Sequence, residues 1–182
     1  MYNILYTTTP MTTTTLAQTH LLALENIESK SVKRRITREL EKLNEHCSLI
    51  SIDSELNETS NFDKHKYIVN ILDSTNGLIY SIILSNTYPF KTPGVQINFR
   101  PYQEFLRVSS SEQLKKIHKL NCLCCSTITC GNNWSPAFTM NHLIDEIRRL
   151  KGYKRDLIYK LLSDKIKLRY LIDDIDLDCW LF

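Results

Sequence analysis

The sequence predicts an α+β fold, with an N-terminal amphipathic helix, a four-stranded antiparallel meander and C-terminal helices. Three observations predict it. Apolar residues recur every three to four positions from Ser31, β-rich runs follow with an Asn-Gly turn between two of them, and a second helical stripe begins at Pro136. At 182 residues the chain suits one domain, roughly 150 residues being a soft prior for one domain.

In the first helix Ser31 serves as the cap, Val32, Ile36, Leu40 and Leu43 form the apolar stripe, and Lys33, Arg34, Arg35, Arg38, Glu39 and Lys42 take the other face. Strands are predicted at Ser48–Asp53, Tyr67–Leu72 and Leu78–Leu84, with Ser74-Thr75-Asn76-Gly77 turning the last two into a hairpin. Pro89 and Pro93 forbid helix before a fourth strand at Val95–Phe99. A short helix is predicted over Ser111–Leu120. Trp134-Ser135-Pro136-Ala137 then reads as a helix start, with Phe138, Met140, Leu143, Ile144, Ile147 and Leu150 on its apolar side and Gly152 as its stop. A further helix is expected over Lys154–Lys165. Residues 1–30, rich in Thr, read as a flexible leader, and residues 31–182 as the single domain with a helical extension.

Composition narrows the function classes. A net charge of +3, with basic residues spread over several elements, is a weak footprint for nucleic acid, and no nucleic-acid partner is expected. No apolar run approaches the roughly 18 residues of a membrane span, and the N-terminus lacks a signal-peptide pattern, so the expected location is cytoplasmic or nuclear, with no membrane partner. In that setting six cysteines, four of them between Cys122 and Cys130, point to metal binding, catalysis or burial rather than disulfides.

Three strings, in order, carry a resemblance. Arg34-Arg35-Ile36-Thr37-Arg38-Glu39-Leu40, Tyr88-Pro89-Phe90-Lys91-Thr92-Pro93 and Trp134-Ser135-Pro136-Ala137 are similar to motifs of the ubiquitin-conjugating (UBC) family, whose element order is also the one predicted here. The match covers about Ser31 to Leu150 and resembles divergent members encoded by large DNA viruses, which would place the protein in host cytoplasm.

The resemblance implies a UBC-like fold and a transferase that carries ubiquitin or a ubiquitin-like protein as a cysteine thioester and passes it to substrate lysine, with no cofactor. It implies partners: the ubiquitin itself, an activating enzyme meeting Arg34, Arg35 and Arg38, and a ligase meeting Phe90, Pro136 and Ala137. Cys122, followed by Leu123, matches the family's Cys-Leu but needs an insertion before Trp134; Cys125 fits the spacing better but is followed by Ser126. Cys122 is preferred. The chain departs from the family in lacking its His-Pro-Asn string. His118 and Asn121 stand nearest upstream, with Asn121 closer to the cysteine than the family's oxyanion-stabilising Asn.

Other readings stay open. One is a catalytically silent UBC variant that binds ubiquitin or a partner. Another is a structural zinc held by Cys122, Cys125, Cys130 and His118, since Cys122 and Cys125 have a suitable gap. A third is a set of small buried thiols.

Overall fold

The computed structural model describes residues 24, 27–56, 65–108, 110–130 and 133–170; most of the expected leader, and the chain beyond Tyr170, lie outside them. The chain forms two compact units that divide between Phe99 and Arg100. It is α+β, with an N-terminal helix, an antiparallel sheet and a C-terminal helix.

The first unit begins with α1 (Lys30–Leu40), and its cap is Ser29 rather than Ser31: Ser29 Oγ accepts from the Val32 amide at 3.5 Å. Leu24 and Ile27, ahead of the cap, are buried. Val32 and Ile36 form the buried stripe, as the spacing predicts, while Leu40 and Leu43 are only half-buried. Glu39 departs from the expected solvent face. It is buried, accepts the Tyr88 hydroxyl on both carboxylate oxygens at 2.8 and 2.9 Å, and pairs with Arg35. A buried carboxylate persists only when hydrogen-bonded and charge-matched, and here both conditions are met.

The strands β1 (Cys47–Leu56), β2 (His65–Asp73), β3 (Leu78–Ser85) and β4 (Gly94–Ile97) pair antiparallel in sequence order. A two-residue strand, β5 (Arg100–Pro101), opens the second unit, one strand more than predicted. Register aligns one apolar face across the strands: Ile52 faces Val69, Val69 faces Ile82, Ile82 faces Val95, and Tyr80 bridges Ile71 and Ile97. Period-two alternation puts those residues on one side, and all are buried. A bulge between Leu49 and Ser51 leaves Ile50 exposed.

The Asn-Gly turn forms as expected, with Gly77 at φ +66°, conformationally cheap without a Cβ. Its missed organiser is Asp73. That fully buried carboxylate accepts from the Thr75 amide (3.0 Å) and hydroxyl, the Asn76 side chain (2.9 Å) and the Tyr80 hydroxyl (3.1 Å). The fourth strand stops at Ile97, two residues short of the prediction, because Asn98 and Phe99 take left-handed backbone at φ 49° and 63°. That conformation breaks a ladder.

The second unit continues with a single-turn helix, α2 (Tyr102–Phe105), which the sequence reading did not place. Next comes α3 (Ser111–His118), capped by Ser110, whose Oγ accepts from the Gln113 amide at 3.3 Å. It ends at His118, two residues earlier than predicted, where Lys119 at φ 58° closes it in the left-handed region.

The last helix, α4 (Met140–Tyr170), corrects two expectations. It starts at Met140 rather than at Pro136, since Ser135–Phe138 closes a turn (Phe138 amide to Ser135 carbonyl, 2.9 Å), and the cap falls at Thr139, whose amide donates to His142 Nδ1 at 3.1 Å. That reach-back is the geometry of a capping box. It also runs unbroken through Gly152 for 31 residues where two helices were expected. Glycine inside a helix costs only about 1 kcal/mol, and the buried repeat Leu143, Ile147, Leu150, Leu157 continues across it.

Candidate functional site

Between α3 and α4 the chain makes an irregular turn that carries the cysteine cluster. Leu123 is fully buried, so the residues on either side of it are directed outward: Cys122 is half-buried and Cys124 is exposed. A 3-10 turn at Cys124–Ser126 then brings Cys125 back over Cys122. Leu123 thus anchors the turn, and the thiols converge around it.

The Sγ atoms of Cys122 and Cys124 lie 3.0 Å apart, those of Cys124 and Cys125 3.8 Å apart, and the Cys125 amide donates to Cys122 Sγ at 3.2 Å. These contacts separate thiols that are identical in the unfolded chain. Hydrogen bonds from the Cys125 thiol, the Cys124 thiol and the Cys125 amide hold Cys122 below the ordinary thiol range. Hydrogen bonding to Cys122 pushes Cys124 upward, and the same partner first, then Cys124, pushes Cys125 up to about 12. Of the three, Cys122 is therefore the thiol that ionises most readily, while Cys124 and Cys125 are held toward the protonated form. A thiolate, not a thiol, is the nucleophile and the metal ligand.

The backbone under the cluster is tied down. Ser126 Oγ donates to the Leu123 carbonyl (3.0 Å), Thr127 Oγ1 to the Cys124 carbonyl (2.9 Å), and Asn133 Nδ2 to the carbonyls of Cys125 (3.2 Å) and Thr127 (2.9 Å). The Ile128 amide donates to Glu146 Oε1 on α4 at 2.9 Å. Glu146 is buried, and burial raises its pKa against the opposing pull of the Ile128 amide and Arg149. Next to Asn133, Trp134 packs on Phe138 with ring centroids 5.8 Å apart.

The structure distributes the sequence-predicted residues unevenly. Cys122 and Cys125 come together, and Cys124, which matched no family position, joins them. The overlooked signal was the Cys-Leu-Cys-Cys pattern, in which one buried leucine turns both flanking side chains outward. Cys130 is half-buried and lies outside that three-sulfur group. His118 is stacked on Tyr153 at 4.3 Å, with Nε2 3.8 Å from Asp156. Of the four residues of the open zinc reading, Cys122 and Cys125 lie in the three-sulfur group, and Cys130 and His118 do not. Asn121 is exposed beside Cys122. In the first unit, Arg34 and Arg38 are exposed, Arg35 is engaged by Glu39 and Tyr88, and Phe90 is 81% exposed. In the second, Pro136 and Ala137 are exposed. Thr127, Asn133 and Glu146 went unread because their role is to hold backbone, which leaves no local pattern. Among the described residues, no helix is long and apolar enough to cross a membrane.

Compared with known proteins, the chain matches no family model, no curated protein and no solved structure.

Proposed function

We propose that the chain is a ubiquitin-conjugating transferase with a UBC-like fold, and that Cys122 accepts ubiquitin or a ubiquitin-like protein as a thioester. The observation that carries this reading is the inequality of the clustered thiols. Of three neighbouring cysteines, the one followed by leucine receives the Cys125 amide and the Cys124 thiol as donors and is the one shifted toward thiolate.

In the reaction, the Cys122 thiolate attacks the carbonyl of a ubiquitin thioester on the activating enzyme. A new carbon–sulfur bond forms, and the activating enzyme's sulfur leaves as thiolate. A substrate lysine amine later attacks the same carbonyl, gives up a proton to solvent, and expels the Cys122 thiolate as the amide forms. A low-pKa thiol serves both halves, as nucleophile and then as leaving group. The chain supplies position, which makes the transfer effectively unimolecular. Arg34 and Arg38 are the exposed basic residues offered to an activating enzyme, and Phe90, Pro136 and Ala137 those offered to a ligase.

The missing His-Pro-Asn string favours one other reading, a silent variant that binds ubiquitin without carrying it. Loading separates the two. With activating enzyme, ATP and ubiquitin, the full chain should form an adduct that a reducing thiol removes, since thioesters exchange with thiols and isopeptides do not. Cys122→Ser should convert it to a thiol-resistant oxyester or abolish it, while Cys125→Ser should load. Loading that survives Cys122→Ser unchanged overturns the assignment of Cys122, and a wild-type chain that binds ubiquitin but never loads is the silent variant.

A further inference from the structure

We propose that Cys122, Cys124 and Cys125 form a three-thiolate site for one soft d10 metal ion, zinc(II) or copper(I), through their converging Sγ atoms. All three sulfurs lie within 4.8 Å of one another, and the two resolved separations are 3.0 and 3.8 Å. Sulfurs bound to a single ion through bonds of about 2.3 Å at tetrahedral angles sit roughly 3.8 Å apart. The cluster is at that spacing with small rotations of side chains that are exposed or half-buried.

The spacing has a built cause. Leu123 is anchored in the core, the carbonyls of Leu123, Cys124 and Cys125 are each held by a side-chain donor, and the Cys125 amide already points at Cys122 Sγ. Backbone hydrogen bonds of that kind keep donor atoms in place, as outer partners do around metal ligands. On binding, three metal–sulfur bonds form and the protons still held by the thiols leave to solvent, so affinity rises with pH.

The donor chemistry sets the class of ion. Thiolates select zinc and copper(I) over magnesium, calcium or manganese. Among the described residues, no fourth His, Cys, Asp or Glu joins the group. Copper(I) is satisfied by three thiolates, whereas zinc would take its fourth ligand from solvent or from a partner, leaving an open position.

Full-length chain, reduced and stripped of metal under nitrogen, tests this in two arms. Cobalt(II) stands in for zinc in the first, giving thiolate charge-transfer bands that zinc then displaces; copper(I) is titrated against a chromophoric chelator in the second. At least one arm should saturate at one ion per chain, and the arm that does identifies the ion. Losing even an outer partner of a metal site costs roughly 10- to 100-fold in affinity, so Cys124→Ser should cost at least tenfold. Cys130→Ser and His118→Gln should bind as the wild type does. Because Cys124 is exposed, its replacement should leave the far-ultraviolet spectrum unchanged; should it not, Cys125→Ser is read in its place. Failure to saturate at one ion per chain in both arms overturns the site, as does wild-type affinity in the serine variants. A larger loss on replacing Cys130 or His118 also overturns it. No activating enzyme is present, so these outcomes are independent of thioester loading.

Discussion

The Ile128 amide donates to the buried Glu146 carboxylate across 2.9 Å, joining the segment that follows the cysteine cluster to the long helix α4. The contact serves the amide more than the acid. Burial raises the Glu146 pKa, so the folded chain holds that proton more tightly than the unfolded one. The stabilisation from this linkage is fully present below the ordinary carboxyl pKa of about 4.3 and is lost as pH rises through the higher folded value. Glu146→Gln keeps an acceptor for Ile128 and removes this titration. Its thermal midpoint should match or exceed the wild type at neutral pH, with a flatter dependence between acid and neutral. Glu146→Ala strands the amide and should cost about 1–3 kcal/mol in denaturant unfolding.

Alkylation at neutral pH should discriminate among the three clustered thiols. With substoichiometric iodoacetamide followed by peptide mass analysis, Cys122 should label first. Cys125, although exposed, should label slowest, because its pKa is raised to about 12. The labelling rate of Cys122 should rise at a lower pH than that of a free cysteine. Cys124→Ala removes one donor and should move that rise upward. Equal labelling of all three would sink the thiolate assignment.

Tyr88→Phe tests the contact between α1 and the loop before β4. Without the hydroxyl, Glu39 loses a donor on both carboxylate oxygens while remaining buried beside Arg35. A loss of about 1–3 kcal/mol is expected from urea unfolding. Tyr88→Phe combined with Glu39→Gln should recover part of it, since a neutral amide is less costly to bury than an under-paired carboxylate.

Phe90→Ala should be close to neutral in stability, because the ring is exposed and its removal opens no cavity. If the chain is a conjugating enzyme, the same change should slow ligase-stimulated transfer while thioester loading persists, exposed aromatics being favoured anchors of small interfaces. Comparable losses in loading and transfer would remove Phe90 from the ligase surface.

Much of the first unit was legible in the sequence because a period of three to four and runs of β-branched residues report local structure directly: Val32 and Ile36 are buried where their spacing placed them, and strands form over the β-rich runs. The failures share a cause. Ser29, Asp73, Glu39 and Thr139 are polar residues whose partners are set by tertiary structure, so their hydrogen bonds leave no periodic trace. Gly152 was overread, because a local breaker signal is outweighed when apolar repeats continue on both sides. At the site, cysteine identity was legible, but the grouping was not. Linear spacing left Cys122 and Cys125 as alternatives and offered Cys130 and His118 only as further zinc ligands, whereas a single buried leucine decided which sulfurs meet.

The burial of Leu123 makes the cluster an intrinsic kinetic reporter of folding. Anchored, it holds three thiols in unequal electronic environments; released, it leaves cysteines that any alkylating agent sees as nearly equivalent. A local opening that withdraws Leu123 from the core would thus erase the selectivity for Cys122 before the helices unwind. The spread of labelling rates across Cys122, Cys124 and Cys125, followed with rising denaturant, would report the free energy of that opening separately from global unfolding.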